Sequence, residues 1–222
     1  MIVTIDGPAG TGKSTVARTL ADRLGFEFLN TGAMYRAVAY ACLQSGLDLN
    51  DQLAVADIAN QVEIAFAKNR LLLGGQDVTH AIHGQDVTQS ASIVAANPAV
   101  RARLVDLQRR VGKDSNLVTE GRDQGTIVFP NAECKFFLTA SPEERARRRQ
   151  RELQEKGDAI TLAELIEQQQ LRDRRDESRT VSPLRPAEDA LQIDTTEMSL
   201  AEVATYLEQL VQKVRQTSRP ER

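Results

Sequence analysis

The chain has 222 residues, 41% of them hydrophobic and 4% aromatic, with 28 Lys and Arg against 31 Asp and Glu for a formal net charge of −3. That length suits one well-buried α/β core with a smaller insertion and excludes two full domains plus a linker. The near balance of charge excludes an overall field for nucleic acid, so any cationic site must come from local clustering, and no apolar run approaches the roughly 18 residues of a membrane span.

The pass along the chain starts with Ile2-Val3-Thr4-Ile5, a short β-branched strand. Gly7-Pro8-Ala9-Gly10-Thr11-Gly12-Lys13-Ser14 follows, a complete G-x-x-x-x-G-K-[ST] phosphate-binding loop. A polyphosphate needs many short hydrogen bonds at once, and glycines let successive backbone N–H groups turn inward around it. Lys13 adds a mobile point charge, and Ser14 offers a hydroxyl to Mg²⁺. A helix from Ser14 to Leu24, closing at Gly25, points its N-terminus at the phosphates. Phe26 to Leu29 is the next strand, and Thr31 to Leu43 the next helix, ending before Gly46.

From Val62 to about Val87 the rhythm changes. Val62, Ile64 and Phe66 alternate with polar or small residues, Lys68-Asn69 suits a turn, and Leu71-Leu72-Leu73 runs into Gly74-Gly75. A small antiparallel β insertion is expected. Leu72-Leu73-Gly74-Gly75-Gln76 is a weak copy of the transporter-ATPase L-S-G-G-Q signature without its serine, and reads as a hairpin turn. Further apolar runs at Leu117 to Thr119, Lys135 to Leu138 and Leu191 to Ile193 complete the pattern of a parallel sheet covered by helices.

Three later helices are announced by capping signals: Ser141-Pro142-Glu143-Glu144, Thr161 with Glu164, and Ser199 with Glu202. The polar stretch from Thr217 to Arg222 is expected to fray. Cys42 and Cys134, in apolar surroundings without C-x-x-C spacing, read as core residues of a reduced protein. No signal peptide precedes the first strand, so a soluble cytoplasmic protein is expected. His80 and His83 read as surface histidines rather than metal ligands.

An enzyme that brings two anionic phosphates into contact needs cations beyond the loop lysine, and arginine suits best because its planar fork binds phosphate oxygens in pairs. Arg145, Arg148 and Arg149 share one face of the helix begun at Ser141. They read as a solvated face, an RNA-binding patch or a lid over ATP, with the upstream phosphate loop favouring the lid and Lys156-Gly157-Asp158 as its turn. Arg172, Asp176 and Arg179 stand at i, i+4 and i+7 on the helix begun at Thr161, either as a salt-bridge ladder or as part of a site. Arg36, Arg101 and Arg122 are dispersed, and no periodicity unites them.

Asp6 to Thr15, Asn30-Thr31-Gly32-Ala33-Met34-Tyr35-Arg36, and Glu120-Gly121-Arg122-Asp123-Gln124-Gly125-Thr126-Ile127-Val128-Phe129-Pro130 together resemble the bacterial cytidylate kinases. Glu143 to Arg149 and Arg172 to Arg179 keep the order found in that family, so the resemblance covers nearly the whole chain. It implies ATP-dependent phosphorylation of CMP and dCMP, with Mg²⁺ bridging the donor phosphates. It also implies a single nucleoside monophosphate kinase domain over residues 1–222: a five-stranded parallel sheet, an enlarged monophosphate-binding insertion at about 60–90, and a mobile helical lid at about 145–175. Gly7, Pro8, Ala9, Gly10, Thr11, Gly12, Lys13, Ser14 and Thr15 would bind ATP, and Ser14 and Glu120 the metal.

By the same resemblance, Thr31, Arg101, Asp123 and Arg179 would surround the pyrimidine. Ser92, Arg172 and Asp176 would meet the sugar, and Arg36 and Arg122 the acceptor phosphate. Lys13, Arg122, Arg145 and Arg149 would be catalytic. A carboxylate at Asp123 can accept from the cytosine amino group, whereas uracil presents a carbonyl there. Thr31 stands where many relatives carry serine, keeping the hydroxyl and adding a methyl, and Glu120 where some carry aspartate, keeping the charge with a longer reach. A monomer acting on small nucleotides, without a nucleic-acid or membrane partner, is expected. The alternatives are a sibling kinase with another acceptor, such as UMP, AMP or shikimate; an RNA-binding protein using Arg145 to Arg151; and a GTP-binding switch, for which the N-K-x-D motif is missing.

Overall fold

The computed structural model describes residues 1–67, 70–155 and 160–217. The turns expected at Lys68-Asn69 and Lys156-Gly157-Asp158, and the tail after Thr217, lie outside the described residues. The chain opens with β1 (Ile2–Asp6), α1 (Lys13–Leu24), β2 (Glu27–Asn30), α2 (Thr31–Gln44) and α3 (Gln52–Gln61). Next come β3 (Ile64–Ala67), β4 (Arg70–Leu73), β5 (Gln76–Asp77), a 3₁₀ turn (Ala81–His83), α4 (Gln85–Val94) and α5 (Pro98–Gly112). The remainder is β6 (Leu117–Gly121), a π turn (Gln124–Val128), β7 (Cys134–Thr139), α6 (Pro142–Gln154), α7 (Leu162–Glu177), β8 (Leu191–Asp194) and α8 (Leu200–Thr217). Two compact units result, Met1–Leu29 with Val111–Arg222, and Asn30–Arg110.

The first unit carries the expected five-stranded parallel sheet, in the order β2-β6-β1-β7-β8. Its central strand β1 pairs with β6 on one side and β7 on the other, which explains its nearly continuous apolar sequence. Val16, Leu20 and Leu24 of α1 recur every fourth residue, as do Val203, Leu207 and Val211 of α8, so each helix lays one stripe on the sheet. These stripes meet Val3, Ile5, Val118, Phe136 and Leu138. Each such side chain contributes about 1.5–3 kcal/mol when fully buried, and this core fixes the carboxyl ends of β1 and β6 from which the site grows. Cys42 and Cys134 are buried free thiols in their respective units, and His80 and His83 are exposed, as the sequence predicts.

Capping explains the helix starts. Thr161 and Glu164 form a reciprocal box at α7, and Ser199 and Glu202 repeat it at α8. At α6 only half the box forms. The Ser141 hydroxyl accepts from Glu144 N, but the Ser141 N–H donates to Thr196 Oγ1, and Glu144 turns to Arg148 instead.

In the second unit α2 packs against α4, burying Ala33, Met34, Val38 and Cys42. The Asn30 side chain caps α2 by accepting from Ala33 N at 2.9 Å. The antiparallel insertion is present as β3-β4-β5, with Gly74 and Gly75 both at positive φ in the β4–β5 hairpin. It is shorter than the sequence suggests. Val62 ends α3, and after Asp77 the chain leaves the sheet, because Asp77 Oδ1 accepts from both the backbone and the hydroxyl of Thr79. Val87 therefore lies in α4 rather than in a strand. Among the described residues, no helix is long and apolar enough to cross a membrane.

Candidate active site

The phosphate loop runs from the end of β1 to the start of α1. Gly7, at φ 144°, passes so close to β7 that a Cβ would lie 2.1 Å from the Leu138 carbonyl oxygen. Gly12, at φ 86°, enters α1 without any side-chain cap, leaving the first N–H groups of the helix to serve an anion. Lys13 Nζ donates to Pro8 O at 2.6 Å and Thr11 Oγ1 at 3.3 Å, folding over the loop. Its side chain is buried. Burial pushes the amine down to about 7, and Arg122 and Arg172 push the same way, against Glu120 and Asp173. The loop lysine thus sits in one cluster with two arginines and two carboxylates.

Ser14 Oγ donates to Glu120 Oε1 at 2.8 Å, joining the start of α1 to β6. A hydroxyl and a carboxylate form an all-oxygen pair, the donor chemistry that Mg²⁺ takes, and the ion completes its shell with water and phosphate oxygens. These two residues fit that ion. Among the described residues, no group of three or more His, Cys, Asp and Glu could hold a metal by itself. Thr15 is exposed on the first turn of α1.

Helices α6 and α7 pack against each other and reach the loop from the same unit. Arg145 is buried, donating to Ala9 O at 3.0 Å and pairing with Asp173, whose other oxygen accepts the Ala9 N–H at 3.1 Å. Gln169 Nε2 donates to the Arg145 carbonyl at 3.3 Å. Arg148 donates to Thr11 O, Thr195 Oγ1 and Met198 O at 3.1 Å each, and also to Thr195 O. Arg149 pairs with Glu152 and remains partly exposed. The shared face predicted from spacing therefore resolves into two arginines on loop carbonyls and one outside that network.

At the end of β6, Arg122 Nε donates to Asp176 Oδ2 at 2.8 Å, and Arg179 pairs with the other oxygen. Burial raises the Asp176 carboxyl, but Arg122, Arg179 and Arg172 together hold it below the usual carboxylate range. Arg179 does not lie on α7 as its spacing suggested. The helix ends at Glu177, and the chain turns back so that Leu184 N meets the Asp176 carbonyl at 2.8 Å. The pairing with Asp176 survives the break. Buried Asp123 leads into the π turn, and Asp6 receives Gln124 N at 2.9 Å and Gly125 N at 2.8 Å on its two oxygens. Burial raises the Asp6 carboxyl to about 7 despite those two bonds.

The other predicted residues lie in the second unit. Thr31 is buried at the start of α2, and Arg36 is half-buried one turn on. Ser92 is buried on α4, where its hydroxyl donates to Gln89 O at 2.9 Å. Arg101 on α5 donates to Ala95 O at 3.2 Å and lies over the Tyr35 ring, 5.5 Å from its centroid.

Asp6, Gln169 and Asp173 are site neighbours to which sequence reasoning gave no role of their own. Two signals for them exist: Asp6 immediately precedes the first loop glycine, and Asp173 stands one helical turn before Asp176.

Comparison with known proteins agrees with this geometry. The profile described as cytidylate kinase matches residues 3–216. The chain is 46% identical over 218 residues to a cytidylate kinase of Rhodopirellula baltica, covering 98% of this chain and 95% of that protein. It is 47% identical over 208 residues to a cytidylate kinase of Stutzerimonas stutzeri, covering 91% of each. A solved structure of an uncharacterized protein from Eubacterium ventriosum ATCC 27560 shares the fold, with a TM-score of 0.51 at 12% identity over 97% of this chain and 98% of that one. A phosphate loop, a five-stranded parallel sheet and a profile match over nearly the whole length lead to one statement: the chain belongs to the cytidylate kinase family.

Proposed function

We propose that this chain transfers the γ-phosphoryl group of ATP to CMP and dCMP, giving ADP and CDP or dCDP. The observation that supports this most is the cluster around Lys13, where the phosphate-loop amine shares a buried environment with Arg122, Arg172 and Glu120. Two anionic nucleotides meet only where several fixed cations offset their repulsion. The family relationship supplies CMP as the acceptor, and the carboxylate of Asp123 supplies a reason for choosing it over UMP.

The acceptor phosphate oxygen is already anionic, so the reaction needs alignment and charge neutralisation rather than a strong base. Gly7 to Thr15 cradle the donor phosphates, with Lys13 as the charge nearest the transferred group. Arg122 holds the acceptor phosphate, and Arg145 and Arg149 of the lid, about residues 145–175, neutralise charge and exclude water. Ser14 and Glu120 would hold Mg²⁺, which when bound offsets charge on the donor phosphates. Asp123 and Arg179 read the base, and Arg172 and Asp176 the sugar. In the second unit Thr31 and Arg101 are assigned to the base, Ser92 to the sugar and Arg36 to the acceptor phosphate, with 60–90 as the monophosphate-binding insertion. The enzyme acts as a cytoplasmic monomer on small nucleotides rather than nucleic acid.

Label transfer tests this. With ATP labelled at the γ-phosphate and CMP as acceptor, the label should appear in CDP. Label found only in inorganic phosphate, or left in ATP, would refute the transfer.

A further inference from the structure

We propose that Asp6 is a positioning residue for base selection: it caps the π turn that follows Asp123 and so prevents the Asp123 carboxylate from folding back onto its own backbone. The proposal rests on the reading of Asp123 as the group that meets the cytosine amino group.

Asp123 occupies the N-cap position of the turn Gln124–Val128, at φ −145° and ψ 21°. An aspartate there ordinarily turns its carboxylate onto the N–H groups just ahead of it, because the first donors of a helical turn have no partner of their own. Asp123 makes no such bond. Asp6, from the end of β1, takes both donors instead, Gln124 N on Oδ1 at 2.9 Å and Gly125 N on Oδ2 at 2.8 Å. The geometry leaves little slack. Asp6 pairs in register with Gly121, and Gln124 Oε1 accepts the Thr119 hydroxyl at 2.9 Å. A Cβ on Gly125 would lie 3.0 Å from Thr4 Oγ1, so the turn is pressed onto β1.

Asp6 is only 4% exposed, so water does not readily replace it. Two buried N–H groups without an acceptor are costly, and once Asp6 is removed the carboxylate best placed by sequence to serve them is Asp123 itself. The turn would then be satisfied and the base left unread. The same side chain immediately precedes Gly7, so one carboxylate joins the entry of the phosphate loop to the segment that carries Arg122 and Asp123.

The test is the ratio of kcat/KM for CMP to that for UMP in the full chain, for Asp6→Ala and Asp6→Asn. The folded fraction cancels from this ratio, so a merely architectural role leaves it unchanged. Asp6→Ala should lower it by about tenfold or more, and Asp6→Asn by less, since an amide oxygen still accepts one N–H while its NH₂ faces the other. Adding Asp123→Ala to Asp6→Ala should give little further loss, because both act through the same carboxylate. An unchanged ratio in either Asp6 variant would overturn the proposal. If neither variant folds, Gly125→Ala puts the same question with Asp6 intact, since its methyl pushes the turn off β1. It should lower the ratio severalfold, and an unchanged ratio would again overturn the proposal. A wild-type enzyme that phosphorylates CMP and UMP equally would instead refute the reading of Asp123, so the two failures are distinguishable.

Discussion

Ser14 Oγ stands 2.8 Å from Glu120 Oε1, a hydroxyl on the first turn of α1 donating to a nearly buried carboxylate of β6. The parallel pairing of β1 with β6 sets Glu120 beside Ile5, and the phosphate loop that leaves β1 brings Ser14 to it. Glu120→Gln keeps the shape and one acceptor but removes the charge. The Mg²⁺ concentration for half-maximal turnover should rise by about tenfold, the scale of lost support around a bound metal. A magnesium titration of the initial rate checks this, and an unchanged midpoint would remove Glu120 from the metal site.

Lys13 is buried for its charge rather than for packing. Lys13→Ala should lower kcat by at least about a hundredfold, the scale of losing one transition-state donor. The melting temperature should change little, because a buried cation costs desolvation that its removal returns. Single-turnover rates and a thermal melt on the same sample separate the two effects. Unchanged kcat would contradict the assigned role.

The same burial has a consequence for protons. The Lys13 amine falls from 10.5 to about 7 in the folded protein, burial first and Arg122 next. Between about pH 7 and pH 10.5 the unfolded chain binds a proton that the folded protein has released, so this group makes stability rise with pH through that window. A polyphosphate beside the amine favours its charged form, so ATP binding should take up close to one proton at about pH 8.5 and little at about pH 6. Calorimetric titration in two buffers of different ionisation enthalpy measures the uptake. Lys13→Met should abolish it.

The neighbouring arginines of α6 should behave differently. Arg148 bridges Thr11 O, Thr195 and Met198 O, so Arg148→Ala leaves several carbonyls without their donor. A loss of about 2–3 kcal/mol is expected from denaturant unfolding. Arg149 pairs only at the surface with Glu152, so Arg149→Ala should change stability by less than about 0.5 kcal/mol while lowering kcat. Equal stability for the two variants would contradict the division between them.

What could be read from the sequence follows physical range. Gly7 to Ser14 is legible because every residue there answers a local demand, and α7 and α8 because both halves of their capping boxes lie within four residues. The helices α3, α4 and α5 are not legible in the same way: α4 begins inside the segment that reads as a β insertion, and the caps of α3 and α5, Asp51 and Asn97, have no glutamate or glutamine three residues on. Asp77 ends that sheet through a side-chain contact to Thr79 that no periodicity reports. Arg179 illustrates the opposite case: its spacing from Asp176 located the partner although the helix stops before it. The capping of Gln124 and Gly125 by Asp6 joins residues 118 or more positions apart, and only the folded sheet brings them together.

The most direct measurement is ADP release with ATP and Mg²⁺ against CMP, dCMP, UMP, AMP and GMP in turn. Strong turnover with CMP and dCMP alone is predicted, from the Lys13 cluster for the transfer and from Asp123 for the choice of base. Comparable turnover with UMP would contradict the role of Asp123, and no turnover with any of the five would contradict nucleoside monophosphate phosphorylation altogether.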